Sequence, residues 1–315
     1  MVGKMSGMSV TSGRAGALPR RDALTSIERI ESAHGHPILS DHLRLLLGSP
    51  GSDADSMIIG RATLDATSEV VVCAAPGHGR YIMEVVTPHH HAGVTSYSDL
   101  VTSLVHSVID RIWSTGSSGL TWWISAHETW AEAIARTLGM ERERELLQMR
   151  VRLAGEVLDR IQHSATLTNS CDPRTDIDGV IEVNNRAFGD HPEQGGWTRE
   201  DFDRRMNATW FSPDDLRVVH IDGTVAAFCW TKRHDQTEHD PALGEIYVIA
   251  VDPAHHGKGL GRGVVAAGLA HIRAEISPDA MLYVDAANTS AVSLYTSLGM
   301  DIHHRESAWG LRRAP

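Results

Sequence analysis

Cysteine is scarce in this 315-residue chain: there are three, Cys73, Cys171 and Cys229, odd in number and far apart. That excludes a disulfide framework and the paired spacings of a zinc site, and it suits a reducing compartment. Basic charge is also short, with 29 Lys and Arg against 40 Asp and Glu and a formal net charge of −11. An excess of that sign argues against nucleic acid or an acidic membrane surface as the main partner. Long apolar runs are missing too. No stretch could span a bilayer, and the opening MVGKMSGMSVTSGRAGALPRR has basic residues without the apolar core of a secretory signal. The expectation is a soluble, cytoplasmic protein with no membrane or nucleic-acid partner, whose residues 1–22 form a disordered tail. A hydrophobic fraction of 42% and a charged fraction of 22% are ordinary globular values, and the length suits two domains.

What is present is a repeat. WWISAHETWAEAIARTLGM (residues 122–140) and LYVDAANTSAVSLYTSLGM (residues 282–300) align without a gap, Gly139 against Gly299. Each reads as a short strand, a polar turn, a helix and a Leu-Gly-Met stop. Glycine at the stop follows from its left-handed backbone, which costs it nothing sterically. Upstream, MEVVTPHHHAGV (83–94) and GEIYVIAVDPAHHGKGLG (244–261) form a second related pair. Repetition at this length means two similar domains and not a solenoid. They are expected at 23–155 and 160–315, with the seam in RIQHSATLTNSCDP, where apolar periodicity lapses.

In the second half, helices are expected at 176–189 and from Arg199, on either side of the loop GDHPEQGGW. Strands follow at 216–221 and 224–231, joined by an Asp222-Gly223 hairpin turn. A strand at 245–251 leads through the glycines into a helix whose Val265, Leu269, Ile272 and Ile276 share one face. A strand at 281–285 and a helix at 289–298 close the unit. Strands cluster before the glycines and alternate with helices after them, which gives an α+β fold with a mixed central sheet flanked by helices in each half, and not a doubly wound one.

The turn DPAHHGKGLGRGV (252–264) has glycine at 257, 259, 261 and 263. Strand, glycine-rich turn and helix N-terminus make an anion site, because free amides and the helix dipole both favour negative charge. A nucleoside triphosphate would need Gly-Lys-Ser/Thr for magnesium, but Gly259 follows Lys258. A dinucleotide would need the turn after the first strand, and here at least three strands precede it. Coenzyme A, whose diphosphate asks for amides and no metal, fits both facts. The plain alternative is a flexible turn, against which the flanking strand and helix argue. His89, His90 and His91 are consecutive, cannot converge on one ion, and read as a solvated loop; no metal is expected.

AVDPAHHGKGLGRGV resembles the acetyl-CoA loop of the GNAT family of N-acetyltransferases, Gln/Arg-x-x-Gly-x-Gly/Ala, with His256 at the Gln/Arg position and Gly259 and Gly261 as the small residues. NNRAFGDHPEQGGWT, WTK, GEIYVIAVDP and LYVDAANTSAVSLYTSLGM together resemble a narrower group, the mycothiol synthases, which are two-domain members of that family. The resemblance covers nearly all of 176–300 and, more faintly, the first half. It implies tandem GNAT folds and acetyl-CoA as co-substrate. The implied acceptor is the cysteinyl amine of cysteinyl-glucosaminyl-inositol.

Acetyl transfer from a thioester to an amine needs a base for the ammonium, charge stabilisation at the carbonyl and an acid for the leaving thiolate. Glu245 opens the most apolar strand, where desolvation favours a base; a solvent-facing strand end is its plainer reading. Tyr295 lies on the helix that Asn288 should cap. The resemblance makes it the acid, where its spacing alone would make it a buried aromatic. Ile249, Ala250 and Val251 are implied to pair with the pantetheine arm. His256, Gly257, Lys258, Gly259, Leu260, Gly261 and Arg262 would hold the diphosphate, and Asn288, Thr289, Ser290, Ala291, Val292 and Ser293 would flank the carrier. Glu193, Lys232, Glu245 and Tyr283 match the family's acceptor contacts, and Ser40 or Asp41 aligns with one more. The first copy has Ala135 against Tyr295 and a single glycine, Gly93, in its loop, so its domain is expected to be catalytically silent. A monomer is expected. An N-acetyltransferase for another small amine or a peptide N-terminus, and a non-catalytic CoA sensor, are the competing readings.

Overall fold

In the computed structural model the two Leu-Gly-Met stops close alike. Gly139 and Gly299 have φ of +74° and +99°. The Met140 N–H donates to the Ala135 carbonyl at 2.9 Å and Met300 to Tyr295 at 3.1 Å. Gly139 donates to Arg136 and Gly299 to Thr296, both at 3.0 Å. These are the paired bonds of a Schellman cap, which a side chain at the glycine would strain. The structure describes residues 9–12, 17–34, 38–48, 56–63, 69–77, 79–88, 95–126, 128–189, 195–208, 210–237 and 240–313.

The chain divides into two units, Met1–Arg144 with Glu306–Pro315, and Glu145–Arg305. The division therefore falls earlier than the expected seam, and the last strand returns to the first unit. In that unit the strands are β1 (Ser9–Ser12), β2 (Ile58–Thr63), β3 (Glu69–Gly77), β4 (Arg80–Val86) and β5 (Gly119–Ser125), in that spatial order, followed by the end of β12 (Asp301–Arg312). Within residues 1–22, Ser9–Ser12 pairs with β2 and helix α1 (Ala17–His34) begins at Ala17. All pairs are antiparallel except β4 with β5. One face packs on α3 (Thr95–Ser114) and α4 (Thr129–Thr137), and the other on α1 and α2 (Asp41–Gly48).

The second unit orders its strands β6-β11-β10-β9-β8-β7. These are β6 (Glu141–Arg152), β7 (Asn169–Ser170), β8 (Leu216–Ile221), β9 (Thr224–His234), β10 (Leu243–Val251) and β11 (Asp279–Asp285). Asp222 and Gly223, with φ of +52° and +78°, form the expected hairpin turn between β8 and β9. Only β10 and β11 run parallel, so each half has the expected mixed α+β sheet. α5 (Gly155–Ser164), α8 (Leu260–His271) and α9 (Thr289–Ser297) cover one face. α6 (Ile177–Ala187) and α7 (Arg199–Met206) cover the other, where Trp230 is ringed by Phe202, Trp210, Phe211 and Tyr247. Val265, Leu269 and Ile272 are buried as the periodicity predicts, each contributing about 1.5–3 kcal/mol of apolar burial. The helix lies close to the sheet because Gly268 has no side chain: a Cβ there would come within 2.3 Å of Cys229 Sγ.

Among the described residues no helix is long and apolar enough to cross a membrane. In the first unit, removal from water raises the Glu128 carboxyl from 4.5 to about 7, with Glu306 adding to the effect. The charge is disfavoured only in the fold, so stability falls as pH rises from 4.5 towards 7. Glu128→Gln should therefore stabilise the protein at pH 8 by about 1–2 kcal/mol. The gain should vanish below pH 4.5, as measured by urea unfolding across pH.

Candidate active site

β10 pairs with β11 only through Gly244, Glu245 and Ile246, opposite Ala280, Met281 and Leu282. Against β9 it continues to Val251, with a register shift between Ile246 and Val248. From Tyr247 onward one edge of β10 is therefore open towards β11. Ile249 and Val251 are half-buried there, while Ala250 packs into the aromatic face. Strand groups left without a β11 partner in this way are a template for an extended ligand.

The open strand runs into the glycine turn. Asp252 accepts the Ala254 N–H at 2.9 Å and holds Arg186 at 2.6 Å, which fixes the 3₁₀ turn Pro253–His255. Gly257 and Gly259 have φ of +75° and +78°, and a Cβ on either would meet nothing within 4 Å. Their reason is backbone geometry combined with open space. Gly261 is also unobstructed, since a Cβ there would find its nearest neighbour, Val251, at 3.9 Å. Gly263 is different: a Cβ would come within 3.0 Å of Thr166, so packing excludes a side chain. The alternate glycines thus answer to different constraints. The Gly263 N–H donates to Gly259 at 3.3 Å, so the amides of Leu260, Gly261 and Arg262 precede the first helical bond of α8. His256 Nε2 bonds the Val251 carbonyl at 3.0 Å, Lys258 reaches the Ala254 carbonyl at 3.4 Å, and Arg262 donates to Ser297 Oγ at 2.6 Å. Across the opening, Asn288 caps α9 as expected by accepting the Ala291 N–H at 3.2 Å. Thr289, Ser290, Ala291, Val292 and Ser293 form the first turns of that helix.

Glu245 is 7% exposed and stands where β10 is still paired on both sides. It faces Lys232 in register, and its Oε2 lies 2.6 Å from His234 Nε2. Lys232 sits 5.1 Å from the Trp210 ring centroid and 5.7 Å from Tyr247, which puts Glu245 and Lys232 on the aromatic face. Tyr283 is two residues beyond Met281, the residue opposite Glu245, and so shares this face. Three of the expected acceptor residues are therefore brought together. Gln148, Arg150, Asp240 and His234 join them without having been expected. Gln148 donates to the Tyr283 hydroxyl at 2.7 Å and accepts from Arg150 at 2.7 Å, and Asp240 clamps Arg150 at 2.6 and 3.0 Å. Nothing in their spacing marks them, because they come from three segments.

Tyr295 packs in the opposite cluster, with Cys229 and Leu298. Burial, and then the neighbouring Cys229, pushes its phenol up to about 12. Ser40 donates its N–H to Glu84 at 2.7 Å in the first unit. Glu193, the Asp41 side chain, His89, His90, His91 and Gly93 lie outside the described residues. Among the described residues no group of His, Cys, Asp or Glu could hold a metal. A cavity of about 370 Å³ adjoins Gly259 and is lined by Ser164, Thr166, Ile221, His255 and Lys258, but by no residue of β10, β11 or α9.

The acetyltransferase (GNAT) family model matches residues 178–300. A mycothiol acetyltransferase of Acidothermus cellulolyticus is 36% identical over 90% of this chain and 87% of its own. One of Thermobispora bispora is 41% identical over 62% of this chain and 65% of its own. A tandem GNAT protein from the clavulanic acid biosynthesis pathway superposes with a TM-score of 0.64 at 14% identity, covering 98% of this chain and 99% of its own. The chain belongs to the mycothiol acetyltransferase family. It is an acetyl-CoA-dependent N-acetyltransferase with tandem GNAT folds, as the motifs implied.

Not every feature of the second unit of this mycothiol acetyltransferase family member recurs in the first. There β4 and β5 pair through Tyr81, Ile82 and Met83 alone, so the same opening exists. Ile82 holds the register position of Glu245, Ala135 aligns with Tyr295, and the edge residues Val86 and Thr87 are buried. The glycines of the second unit make separable predictions. Gly259→Ala should lower stability by about 1 kcal/mol because of its positive φ. Gly261→Ala, inside a helix, should be neutral or stabilising by up to about 1 kcal/mol. Thermal unfolding of both variants checks this.

Proposed function

We propose that this protein transfers the acetyl group of acetyl-CoA to the cysteinyl amine of cysteinyl-glucosaminyl-inositol, completing mycothiol. The observation that carries the reading is that one unit joins an open strand edge, a glycine turn at a helix N-terminus and a buried carboxylate at the foot of the opening. The relatives named mycothiol acetyltransferases point to the acceptor.

In this reading Ile249, Ala250 and Val251 pair with the pantetheine arm along the open edge. The amides between His256 and Arg262 take the diphosphate, with Lys258 and Arg262 adding charge. Residues Asn288 to Ser293 flank the carrier. Its thioester lies in the gap between β10 and β11, and the two faces of the sheet then have different tasks. From the aromatic face, Glu245 takes one proton from the acceptor ammonium, directly or through water. The freed amine attacks the thioester carbonyl, forming the N–C bond as the C–S bond breaks. From the helical face, Tyr295 meets the departing sulfur. A phenol held near 12 stays protonated at neutral pH and is a weaker acid than a thiol of about 8.5. Its main contribution is therefore an O–H hydrogen bond to the developing thiolate, which leaves with the C–S electron pair and takes up the second proton that the amine nitrogen sheds on becoming an amide.

Lys232, Tyr283 and Glu245 support acceptor binding, with Glu193 and Ser40 or Asp41 as further contacts implied by the family. With Ile82 and Ala135 in place of base and acid, the first unit is catalytically silent. The enzyme works as a cytoplasmic monomer and uses no metal. Acetyl-CoA and the cysteinyl pseudodisaccharide should together release free CoA, read as thiol; release no faster than the uncatalysed rate would contradict the assignment. Tyr295→Phe should lower kcat by about 10- to 100-fold while calorimetry finds unchanged acetyl-CoA affinity. An undiminished kcat would remove the tyrosine from the reaction.

A further inference from the structure

A carboxylate nine-tenths removed from water has to be held by polar partners, or its charge costs several kcal/mol. Glu245 opens this question because two single bonds separate its carboxyl from Cβ, and a base acts only if its oxygen points at the proton it takes. His234 is the last residue of β9 and lies diagonally across from Glu245, two pairs beyond the Lys232–Glu245 register position. Its Nε2 is 2.6 Å from Glu245 Oε2, and its side chain keeps 27% of its accessible surface against 9% for the glutamate. In the role of base Glu245 is ionised and can only accept, which assigns the shared proton to His234 Nε2 as donor.

Other charged and titratable groups on this face are differently engaged. Lys232 of β9 lies over Trp210 and Tyr247. Arg150 of β6 is clamped by Asp240 of the β9–β10 loop, Tyr283 of β11 accepts from Gln148, and Arg205 of α7 stacks on Trp197. Among the described residues, the ring of His234 meets the Glu245 carboxylate at hydrogen-bond distance.

We propose that His234 is the positioning residue of the base: it fixes Oε2 and leaves Oε1 aimed at the acceptor ammonium. One proton passes from the ammonium to Oε1, and the Nε2–H stays in place throughout. This rests on the reading of Glu245 as the base. Glutamine at 234 retains a side-chain N–H donor, whereas leucine retains only bulk, so the pair of variants separates the hydrogen bond from packing. His234→Leu should lower kcat by about 10- to 50-fold, a part of what a general base supplies, with KM for both substrates within about twofold. His234→Gln should recover most of that loss.

The comparison is made with the full-length enzyme, on the pseudodisaccharide or on any amine that the wild type acetylates. Failure of the acceptor assignment would show in the wild type alone, and failure of this proposal in the ratio between variants. Acetyl-CoA titration of both variants verifies the fold. An unchanged kcat in His234→Leu, a loss confined to KM, or His234→Gln as slow as His234→Leu would each overturn the proposal.

Discussion

Three residue pairs hold β10 to β11, and the pairing then stops while β9 carries β10 on to Val251. A strand that is half paired in the middle of a sheet leaves N–H and C=O groups exposed, which is costly unless water or a ligand satisfies them. Everything attributed to this unit depends on that interruption. The register shift at Tyr247 bends the strand locally, as bulges do, and turns Tyr247 and Val248 towards the same aromatic cluster. The bulge is not the cause of the split, because β4 in the first unit parts from β5 after Met83 without one. What distinguishes the second unit is that its edge is accessible and that Glu245 stands at its closed end.

The interruption also allows the proposed base and the proposed hydrogen-bond donor to stand apart. Glu245 belongs to the aromatic face and Tyr295 to the helical face, and a sheet with an opened seam is one place where groups from both faces can reach a common atom. The electrostatics are divided in the same way. The aromatic face carries Lys232, His234, Arg150 and Tyr283, suited to a polar, hydroxyl-rich acceptor. The helical face is apolar around Tyr295, which keeps the phenol in its donor form.

Much of this was legible in the sequence because it is local. The Asp222-Gly223 turn, the Leu-Gly-Met caps, the Asn288 cap and the face of α8 each depend on residues within one or two turns of each other, and each is found as expected. The shared face of Lys232, Glu245 and Tyr283 is anticipated only through family resemblance, since strand pairing and not spacing unites them. What escapes the sequence is long-range. Gln148 and Arg150 are out of sight because β6, which follows the first unit in the chain, pairs with β11 of the second. The return of the C-terminal strand to the first unit, and the split itself, are likewise matters of register. His234 lies two residues beyond Lys232 of WTK, yet its value emerges only when the diagonal pairing with Glu245 is known. The alternate glycines look in the sequence like one device for admitting a phosphate, whereas Gly263 serves helix packing against Thr166.

Amide hydrogen exchange of the full-length protein with and without acetyl-CoA tests the central claim most directly. The account requires slowed exchange at the amides of residues 249–251 that face the open edge and at 257–262, with residues 84–87 unaffected. Unchanged rates along 249–251 under saturating acetyl-CoA, or protection appearing at 84–87 instead, would contradict it.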